Sequence, residues 1–390
     1  MAEFLIIGGG IGGLAAALAL QRIGRQVAVF ERSPVFGEVG AGLTVGPNML
    51  HGLAWLGLAE PMARHMMIPE HGGVMDIATG ELLVSNRRGP VPAQRYGQPY
   101  AQVHRADLQR VLLDAVRRND SSALHAGHAL TGLSEASGSV TAHFANGRAV
   151  QGGFLIGADG SRSVVRDVLF PGHPPVFTGY VAWRGLVPMA RLGHVRFFPD
   201  SAILIGPGRS LARYRVRQGE LLNYAAFAES SEWAEEGWSI RSGLADLLDR
   251  YAGCAPVVRE IIEQTPADQC FKWGLFDRDP LPAWTAGRAT LLGDAAHPML
   301  PFLGQGAAMA VEDAVVLARA VAAVGDPLAA FQRYEMLRRE RTAFVTQASR
   351  AAVREFHSPD TRGYDPGRHR DAESLGIFAF NPATAPIHVA

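Results

Sequence analysis

Glycines near the start of the chain are spaced as in a dinucleotide-binding turn. Gly8, Gly10 and Gly13, with Gly12 between them, follow the apolar run Phe4–Ile7 and precede an Ala/Leu-rich segment. In a strand–turn–helix unit the first glycine permits the tight turn, the second lets the backbone approach a pyrophosphate, and the third allows helix and strand to pack closely. The motif predicts a bound dinucleotide, but by itself it does not separate FAD from NAD.

An acidic residue lies where such a site needs one. Glu31 comes 18 residues after Gly13, directly after the apolar run Val27–Phe30, and Arg32 follows it. A carboxylate at this place can accept hydrogen bonds from a ribose diol. The alternative, a glycine-rich turn in an ordinary α/β core, leaves Glu31 without a role. We therefore expect Glu31 and Arg32 to belong to the dinucleotide site.

Two later segments also run from an apolar stretch into a polar turn. Residues 157–163 (Gly-Ala-Asp-Gly-Ser-Arg-Ser) follow Phe154–Ile156, and residues 291–298 (Leu-Leu-Gly-Asp-Ala-Ala-His-Pro) end a second apolar run. Pro301 and Gly304-Gln305-Gly306 then precede a long apolar segment. In order and spacing, the three segments resemble those of single-component FAD-dependent aromatic hydroxylases, the group A flavoprotein monooxygenases with a para-hydroxybenzoate hydroxylase-like fold.

Shorter sequence segments narrow the resemblance, within that family, to salicylate, 3-hydroxybenzoate and 6-hydroxynicotinate hydroxylases. They are Gly40-Ala41-Gly42 with Gly46-Pro47-Asn48, His104–Leu108 and Tyr180–Arg184. The resemblance implies FAD as cofactor, NADH or NADPH as co-substrate, and O₂ and a small aromatic molecule as partners. It implies hydroxylation of a phenolic or N-heteroaromatic acid through a flavin C4a-hydroperoxide. Since no second glycine fingerprint is present, the nicotinamide cofactor is expected to lack a Rossmann domain of its own.

The same resemblance assigns residues to the cofactor. Asp294 is similar to the acid that binds the ribityl chain, and Arg105 to the arginine near the flavin phosphates. Asp159 lies in the segment that serves FAD and nicotinamide binding, although an Asp-Gly turn alone would also explain it. His297 is better explained as a structural residue of its tight turn. The remaining positions expected at the cofactor are Gln109, Leu130, Gly304, Gln305 and Gly306.

The substrate side is predicted from a strictly alternating segment, residues 210–217. Ser210, Ala212, Tyr214 and Val216 share one face, and Arg213, Arg215 and Arg217 share the other. Three arginines predict a face in water, so Tyr214 is expected to point inward. In the similar hydroxylases a tyrosine here binds or deprotonates the phenol, which makes Tyr214 the predicted catalytic residue, and a purely structural core tyrosine is the alternative.

Thr44, Ser210 and Pro301 are expected to line the substrate pocket. The similar enzymes often carry His at the position of Ser210, and the 6-hydroxynicotinate enzymes carry His at that of Thr44. Neither hydroxyl is a base near neutral pH, so the chain departs from that pattern. Two other functions stay open: a different flavoenzyme on the same scaffold, such as an epoxidase or a tailoring oxygenase, and an FAD-binding protein without turnover.

These residues need a particular set of elements to position them. Short apolar runs predict buried parallel strands, and the alternation over residues 173–271 predicts an antiparallel sheet. We predict an α/β fold with a discontinuous, GR2-like Rossmann-type FAD-binding domain (residues 1–70, 98–172 and 272–325). A mainly antiparallel β-sheet substrate domain (71–97 and 173–271) is inserted into it, and a C-terminal helix and tail (326–390) follow.

Composition excludes several classes of protein. The 390 residues carry 37 Lys+Arg and 37 Asp+Glu, so we expect no broad surface for nucleic acid or an anionic membrane. Two cysteines without a Cys-x-x-Cys exclude a disulfide framework and a thiolate zinc site, and predict a reducing, cytoplasmic location. No metal-ligand spacing is present.

Residues 4–20 are uncharged, but their glycines favour a strand, a turn and a helix over a signal peptide or a membrane anchor. We also expect a homodimer, with the C-terminal tail covering the interface between its subunits.

Overall fold

The computed structural model of the protein describes residues 2–37, 40–231, 233, 240–357, 361, 364–365 and 371–387. Its strands are β1 Phe4–Ile7, β2 Val27–Phe30, β3 Gly42–Val45, β4 His71–Asp76, β5 Leu82–Arg87, β6 Ala101–His104, β7 Leu124–His125, β8 Leu130–Ala136, β9 Ser139–Phe144, β10 Ala149–Gly152, β11 Phe154–Gly157, β12 Val176–Pro188, β13 Ser201–Gly206, β14 Arg209–Val216, β15 Leu221–Glu229, β16 Ile240–Arg241, β17 Cys270–Asp277, β18 Thr285–Ala286 and β19 Ala289–Leu291. Its α-helices are α1 Ile11–Arg22, α2 Pro47–Trp55, α3 Ala59–Ala63, α4 Val91–Tyr96, α5 Arg105–Asn119, α6 Val164–Leu169, α7 Leu244–Arg250, α8 Pro256–Glu263, α9 Gly306–Val324 and α10 Pro327–Phe356.

A six-stranded sheet in the order β18-β19-β11-β1-β2-β7 holds the three polar turns together. Apart from the β18–β19 edge its strands are parallel, and β1, β2 and β19 are buried along their whole length. Full burial explains their unbroken apolar sequence. Helix α1 packs against β1 and β2, and α9 packs against α1. The carboxyl ends of parallel strands lie at one edge, so the turns after β1, β11 and β19 meet there.

Two glycines of the first turn are required by close packing. Gly8 has φ +109°, and a Cβ there would lie 2.3 Å from the Ala158 carbonyl oxygen. A Cβ on Gly13 would lie 1.9 Å from the carbonyl oxygen of Gly8. The predicted roles in turn and packing are thus visible in the backbone itself.

An eight-stranded sheet in the order β16-β17-β12-β15-β14-β13-β4-β5 forms the second layer. It is antiparallel except between β4 and β13, which confirms the predicted strand type for most of 173–271. The segment 71–97 contributes β4 and β5 to the same sheet. No observation tests the domain boundaries, and they stay a prediction.

One prediction about this sheet is wrong. Arg213 does not face water: it is 2% exposed, donates to the Pro199 carbonyl oxygen at 3.0 Å, and lies over the Phe197 ring. The face that Arg213 shares with Leu211 is covered by α7 and α8, which form a second apolar core with the sheet. Alternation correctly separated the two faces of β14, but it could not show that helices cover the face that holds Arg213.

A smaller hairpin and the tail complete the fold. Strands β9 and β10 pair antiparallel, β10 ends at Gly152, and Phe154 begins β11 in the parallel sheet. Residues 371–387 of the tail pack against the core, where Ile377 and Phe378 are buried. Other parts of the tail, residues 358–360, 362–363, 366–370 and 388–390, lie outside the described residues. Within the described ranges, no helix has the length and apolar character to cross a membrane.

Candidate active site

The two large sheets enclose a cavity of about 400 Å³. It is lined from one side by the polar turns and from the other by strands of the eight-stranded sheet. Eleven of the predicted site residues line it: Gly10, Gly12, Thr44, Arg105, Ser210, Tyr214, Asp294, Pro301, Gly304, Gln305 and Gly306. The structure therefore brings seven of the fourteen expected cofactor residues and all four expected substrate residues to one continuous space.

Asp294 places a carboxylate at this cavity. Burial raises the pKa of Asp294 above its ordinary value, while His297 and Arg105 oppose that rise. Among the described residues, no hydrogen-bond donor satisfies the Asp294 oxygens. Asp294 is half-buried and lines the cavity, so the hydroxyl groups of a polyol chain in that space can donate to its carboxylate. This donor and acceptor chemistry fits the ribityl chain of FAD.

The turn before α9 directs backbone amides at the same space. Residues 304–307 line the cavity, and α9 begins at Gly306. The start of a 19-residue helix carries unpaired amides and a partial positive charge, which suits the electron-rich edge of a flavin. The Gln305 side chain is fixed by a hydrogen bond, because Asn48 Nδ2 donates to its Oε1 at 3.0 Å.

Three acidic and amide side chains brace the turns. Glu31 accepts from the backbone amides of Gly9 and Ser33, both at 2.8 Å, and Gln109 Nε2 donates to the Gly9 carbonyl oxygen at 3.0 Å. The Asp159 carboxylate accepts hydrogen bonds from the Ser163 hydroxyl and from the first backbone amides of α6. This is the pattern of an Asp-Gly turn that precedes and caps a helix. The predicted residues that do not line the cavity are Gly8, Gly13, Glu31, Arg32, Gln109, Leu130 and Asp159.

Tyr214 and Ser210 come from the cavity face of β14. Burial raises the pKa of Tyr214 above its ordinary value, opposed by a hydrogen bond with Thr44, so the phenol stays protonated at neutral pH. Gly42 makes room for the ring, because a Cβ there would lie 2.5 Å from Tyr214 Cε2. Asn223 lies beside them and accepts from the Gly42 amide at 2.6 Å.

The structure adds cavity residues that the sequence did not indicate. Arg88 lines the cavity with its guanidinium paired to Asp371 at 2.9 Å and Glu373 at 2.6 Å. Asn223 and the apolar side chains Ile203 and Phe227 line it too. No sequence signal identified Arg88, because its partners lie more than 280 residues away in the tail.

His297 lies outside this cavity, where it contacts a buried carboxylate of the core. Its Nε2 contacts Asp313 Oδ2 at 2.6 Å, and Arg338 binds the other oxygen of Asp313 at 2.7 Å. Burial alone would raise the pKa of Asp313, but His297 and Arg338 lower it to about 2. This geometry agrees with the structural role expected for His297. In the described part of the chain, no group of three or more His, Cys, Asp and Glu side chains could hold a metal ion.

Comparison with known proteins decides the family. A family model described as an FAD-binding domain matches residues 1–182 and 260–352. The chain belongs to this family, the group A flavoprotein monooxygenases. It is 38% identical over 356 residues to a 3-amino-4-hydroxybenzoate 2-monooxygenase of Streptomyces platensis, covering 91% of this chain and 88% of that protein. It is 35% identical, with the same coverage, to a 3-hydroxybenzoate 6-hydroxylase of Polaromonas naphthalenivorans.

A solved structure agrees with the fold. The Klebsiella pneumoniae HpxO protein in complex with FAD and uric acid matches with a TM-score of 0.85 and 29% identity, over 99% of this chain and 98% of that one. The predicted fold class, the family resemblance and FAD as the cofactor of this flavoprotein monooxygenase are confirmed. NADH or NADPH is the co-substrate typical of the family. The individual residue roles remain predictions.

Proposed function

We propose that this flavoprotein monooxygenase uses NAD(P)H and O₂ to hydroxylate a small phenolic or N-heteroaromatic acid. The observation that carries the proposal is the continuous cavity, in which Asp294 and the 301–306 turn face Ser210 and Tyr214. In the balanced reaction one atom of O₂ enters an aromatic C–H bond and the other leaves as water, with two electrons from the nicotinamide. Bound FAD supplies this oxygen-transfer chemistry.

The cofactor is held by the turns, in this proposal. Gly10 and Gly12 bring the backbone near the pyrophosphate, Asp294 accepts from the ribityl hydroxyls, and the amides before α9 face the flavin ring. Glu31 holds a ribose through lone pairs that its two amide donors leave free. Arg105 lies close enough to Asp294 to lower its pKa, so it is placed to balance phosphate and carboxylate charge.

The substrate is oriented by the eight-stranded sheet. Apolar walls from Ile203 and Phe227 suit a flat ring, and they keep water from the reacting face. Tyr214 is a hydrogen-bond donor at neutral pH, since the ordinary pKa of a tyrosine lies near 10 and burial raises that of Tyr214 further. As a donor it stabilises the oxygen of a phenolate, whose negative charge makes the ring more reactive towards an electrophile.

A ligand screen tests the proposal. The purified holoenzyme is mixed with hydroxylated benzoates and pyridines, NAD(P)H oxidation is followed, and products are identified by mass. A phenolic acid that both accelerates NAD(P)H oxidation and gains one oxygen supports hydroxylation. Consumption of a non-phenolic compound instead would indicate an epoxidase or a tailoring oxygenase. A yellow protein that no aromatic ligand stimulates would contradict turnover altogether.

Two further expectations, on cellular location and oligomeric state, accompany the proposal. Cys254 and Cys270 are both free thiols, which supports a reducing, cytoplasmic location. A homodimer remains a prediction.

A further inference from the structure

An asparagine of β15 carries hydrogen-bond donors that no described residue uses. Asn223 is buried, with 3% of its surface exposed, and it lines the cavity. Its Oδ1 lies 2.6 Å from the backbone nitrogen of Gly42, and within the described residues its side chain makes this one hydrogen bond. A buried side-chain amide usually has partners at both ends, so its Nδ2 end is the unusual feature.

The direction of this amide follows from its partner. A backbone N–H can only donate, so the atom that faces the Gly42 amide is the oxygen, and the other end of the Asn223 amide is the NH₂ group. Its two N–H groups have no acceptor among the described residues, and protein atoms do not enclose Nδ2 completely. The cavity is the space that Asn223 lines, so it is the space in which these donors can find an acceptor.

The neighbouring residues leave room beside the amide. Asn223 pairs directly with Tyr214 across β15 and β14, and the next pair on the same face of the sheet is Ala225 with Ala212. All four residues line the cavity. Because the alanine side chains are short, a flat ring can lie over them with its edge towards Asn223.

The charges on this wall of the cavity suit an anion. None of the described cavity residues on the strands of the eight-stranded sheet is Asp or Glu, and Arg184 of β12 brings a positive charge. Arg184 pairs with Ala225, which makes it a diagonal neighbour of Asn223 on the same face. Asp294 belongs to the opposite wall, with the turns expected at the cofactor. An N–H donor forms its stronger hydrogen bonds with a charged oxygen, so a negatively charged oxygen is the partner that fits Nδ2.

We propose that Asn223 is a specificity-determining residue whose Nδ2 donates a hydrogen bond to an anionic oxygen of the aromatic substrate, either its carboxylate or its phenolate. The inference deepens the proposed function and rests on it. An amide neither gains nor loses a proton near neutral pH, so Asn223 binds and orients the ring and does not act as a base. Its oxygen is held by Gly42, which keeps the NH₂ end in place for the ligand.

The test measures ligand selectivity of the holoenzyme without turnover, at pH 8 and without NAD(P)H. Hydroxybenzoates, the matching hydroxybenzamides and benzoate are titrated into the wild type and its variants, and binding is followed by the change in flavin absorbance. Two ratios of dissociation constants are compared for the hydroxybenzoate that binds most tightly. The ratio of hydroxybenzamide to hydroxybenzoate reports a contact with the carboxylate, and the ratio of benzoate to hydroxybenzoate reports a contact with the phenolic oxygen.

Two substitutions of Asn223 separate its donor from its shape. Asn223→Ala should lower one of the two ratios about ten- to a hundredfold, the worth of a hydrogen bond to a charged group. Asn223→Asp keeps the oxygen that accepts from Gly42 but replaces the NH₂ group with a negative oxygen, so it should lower the same ratio further. Asn146→Asp is the matched control, because Asn146 lies in an exposed turn where its Oδ1 accepts from the Arg148 amide at 3.0 Å. It should leave both ratios unchanged.

Other results overturn the inference. Both ratios unchanged in the Asn223 variants would do so, as would an equal loss of affinity for every ligand, which a change of packing explains. Loss of FAD with unchanged ratios would show that Nδ2 serves the flavin instead. If Asn223→Ala does not fold, Asn223→Asp decides alone, because it preserves the Gly42 contact. Should no aromatic ligand perturb the wild-type flavin or stimulate NAD(P)H oxidation, the proposed function itself fails. Stimulated hydroxylation with unchanged ratios in the variants removes only the role of Asn223.

Discussion

The Asn48 side-chain amide donates to Gln305 Oε1 at 3.0 Å and to Glu312 Oε1 at 2.7 Å. Asn48 thereby ties the turn before α9 to a carboxylate inside that helix. Arg338 and Arg341 bind the same Glu312, at 2.7 and 2.8 Å. The backbone that faces the proposed flavin site is thus anchored to a buried ionic network rather than to apolar packing alone.

Replacing Asn48 should loosen the Gln305 turn. Asn48→Ala removes both donated hydrogen bonds, and we expect FAD to bind about tenfold more weakly, the effect of one to two hydrogen bonds. Titration of the apoprotein with FAD, followed by flavin fluorescence, measures this. Asn119→Ala removes only an exposed contact with Gln21 and serves as the control. Equal FAD affinity in the Asn48 variant and the control would show that the turn needs no such anchor.

Asp294 is expected to retain FAD through its otherwise unsatisfied carboxylate. Asp294→Ala should weaken FAD retention by tenfold or more, because hydrogen bonds to a charged group are worth about 1.5–3 kcal/mol. Asp294→Asn keeps the shape and one acceptor and should lose less. Occupancy is read from the flavin absorbance of the purified variants. Full occupancy in Asp294→Ala would refute the ribityl contact.

Tyr214 is expected to act on the substrate and not on the cofactor. Tyr214→Phe keeps the ring beside Gly42 but removes the donor, so hydroxylation should slow by about ten- to a hundredfold while FAD stays bound. Because burial raises the pKa of Tyr214, the wild-type rate should show no loss from its ionisation near neutral pH. Steady-state kinetics with product analysis measures this, with Tyr96→Phe as the control. Unchanged turnover would leave Tyr214 as a core residue.

The sequence predicted the parts of the site that depend on local backbone geometry. The turns after β1, β11 and β19 have characteristic residues because a tight turn at a strand end permits few others. Gly8 and Gly13 could be recognised for the same reason. By contrast, Arg88 with Asp371 and Ser210 with His357 are pairs made by tertiary packing, and neither partner has a local pattern that indicates the other. The exposure of Arg213 was mistaken because alternation separates two faces but does not show what covers each.

The ionic core under the site should make stability depend on pH in a defined way. Asp313 is fully buried, and His297 and Arg338 lower its pKa to about 2 from an ordinary 3.8. A carboxyl group with a depressed pKa in the folded state stabilises the protein above its unfolded pKa. That stabilisation is lost as the pH falls from about 4 towards 2. The pKa difference corresponds to about 2 kcal/mol at neutral pH.

Asp313→Asn tests this dependence. The variant should unfold at a lower urea concentration than the wild type at pH 7. The gap between the two midpoints should narrow as the pH falls below about 4, since the Asp313 carboxyl of the unfolded chain, with its ordinary pKa of 3.8, then takes up a proton that the folded carboxylate does not bind until about pH 2. Asp268→Asn, at an exposed position, is the matched control and should leave the midpoint within error of the wild type. Midpoints are measured at saturating FAD from pH 7 to pH 3. A gap of constant size over that range would mean that Asp313 stabilises the core by its shape and hydrogen bonds and not by its charge.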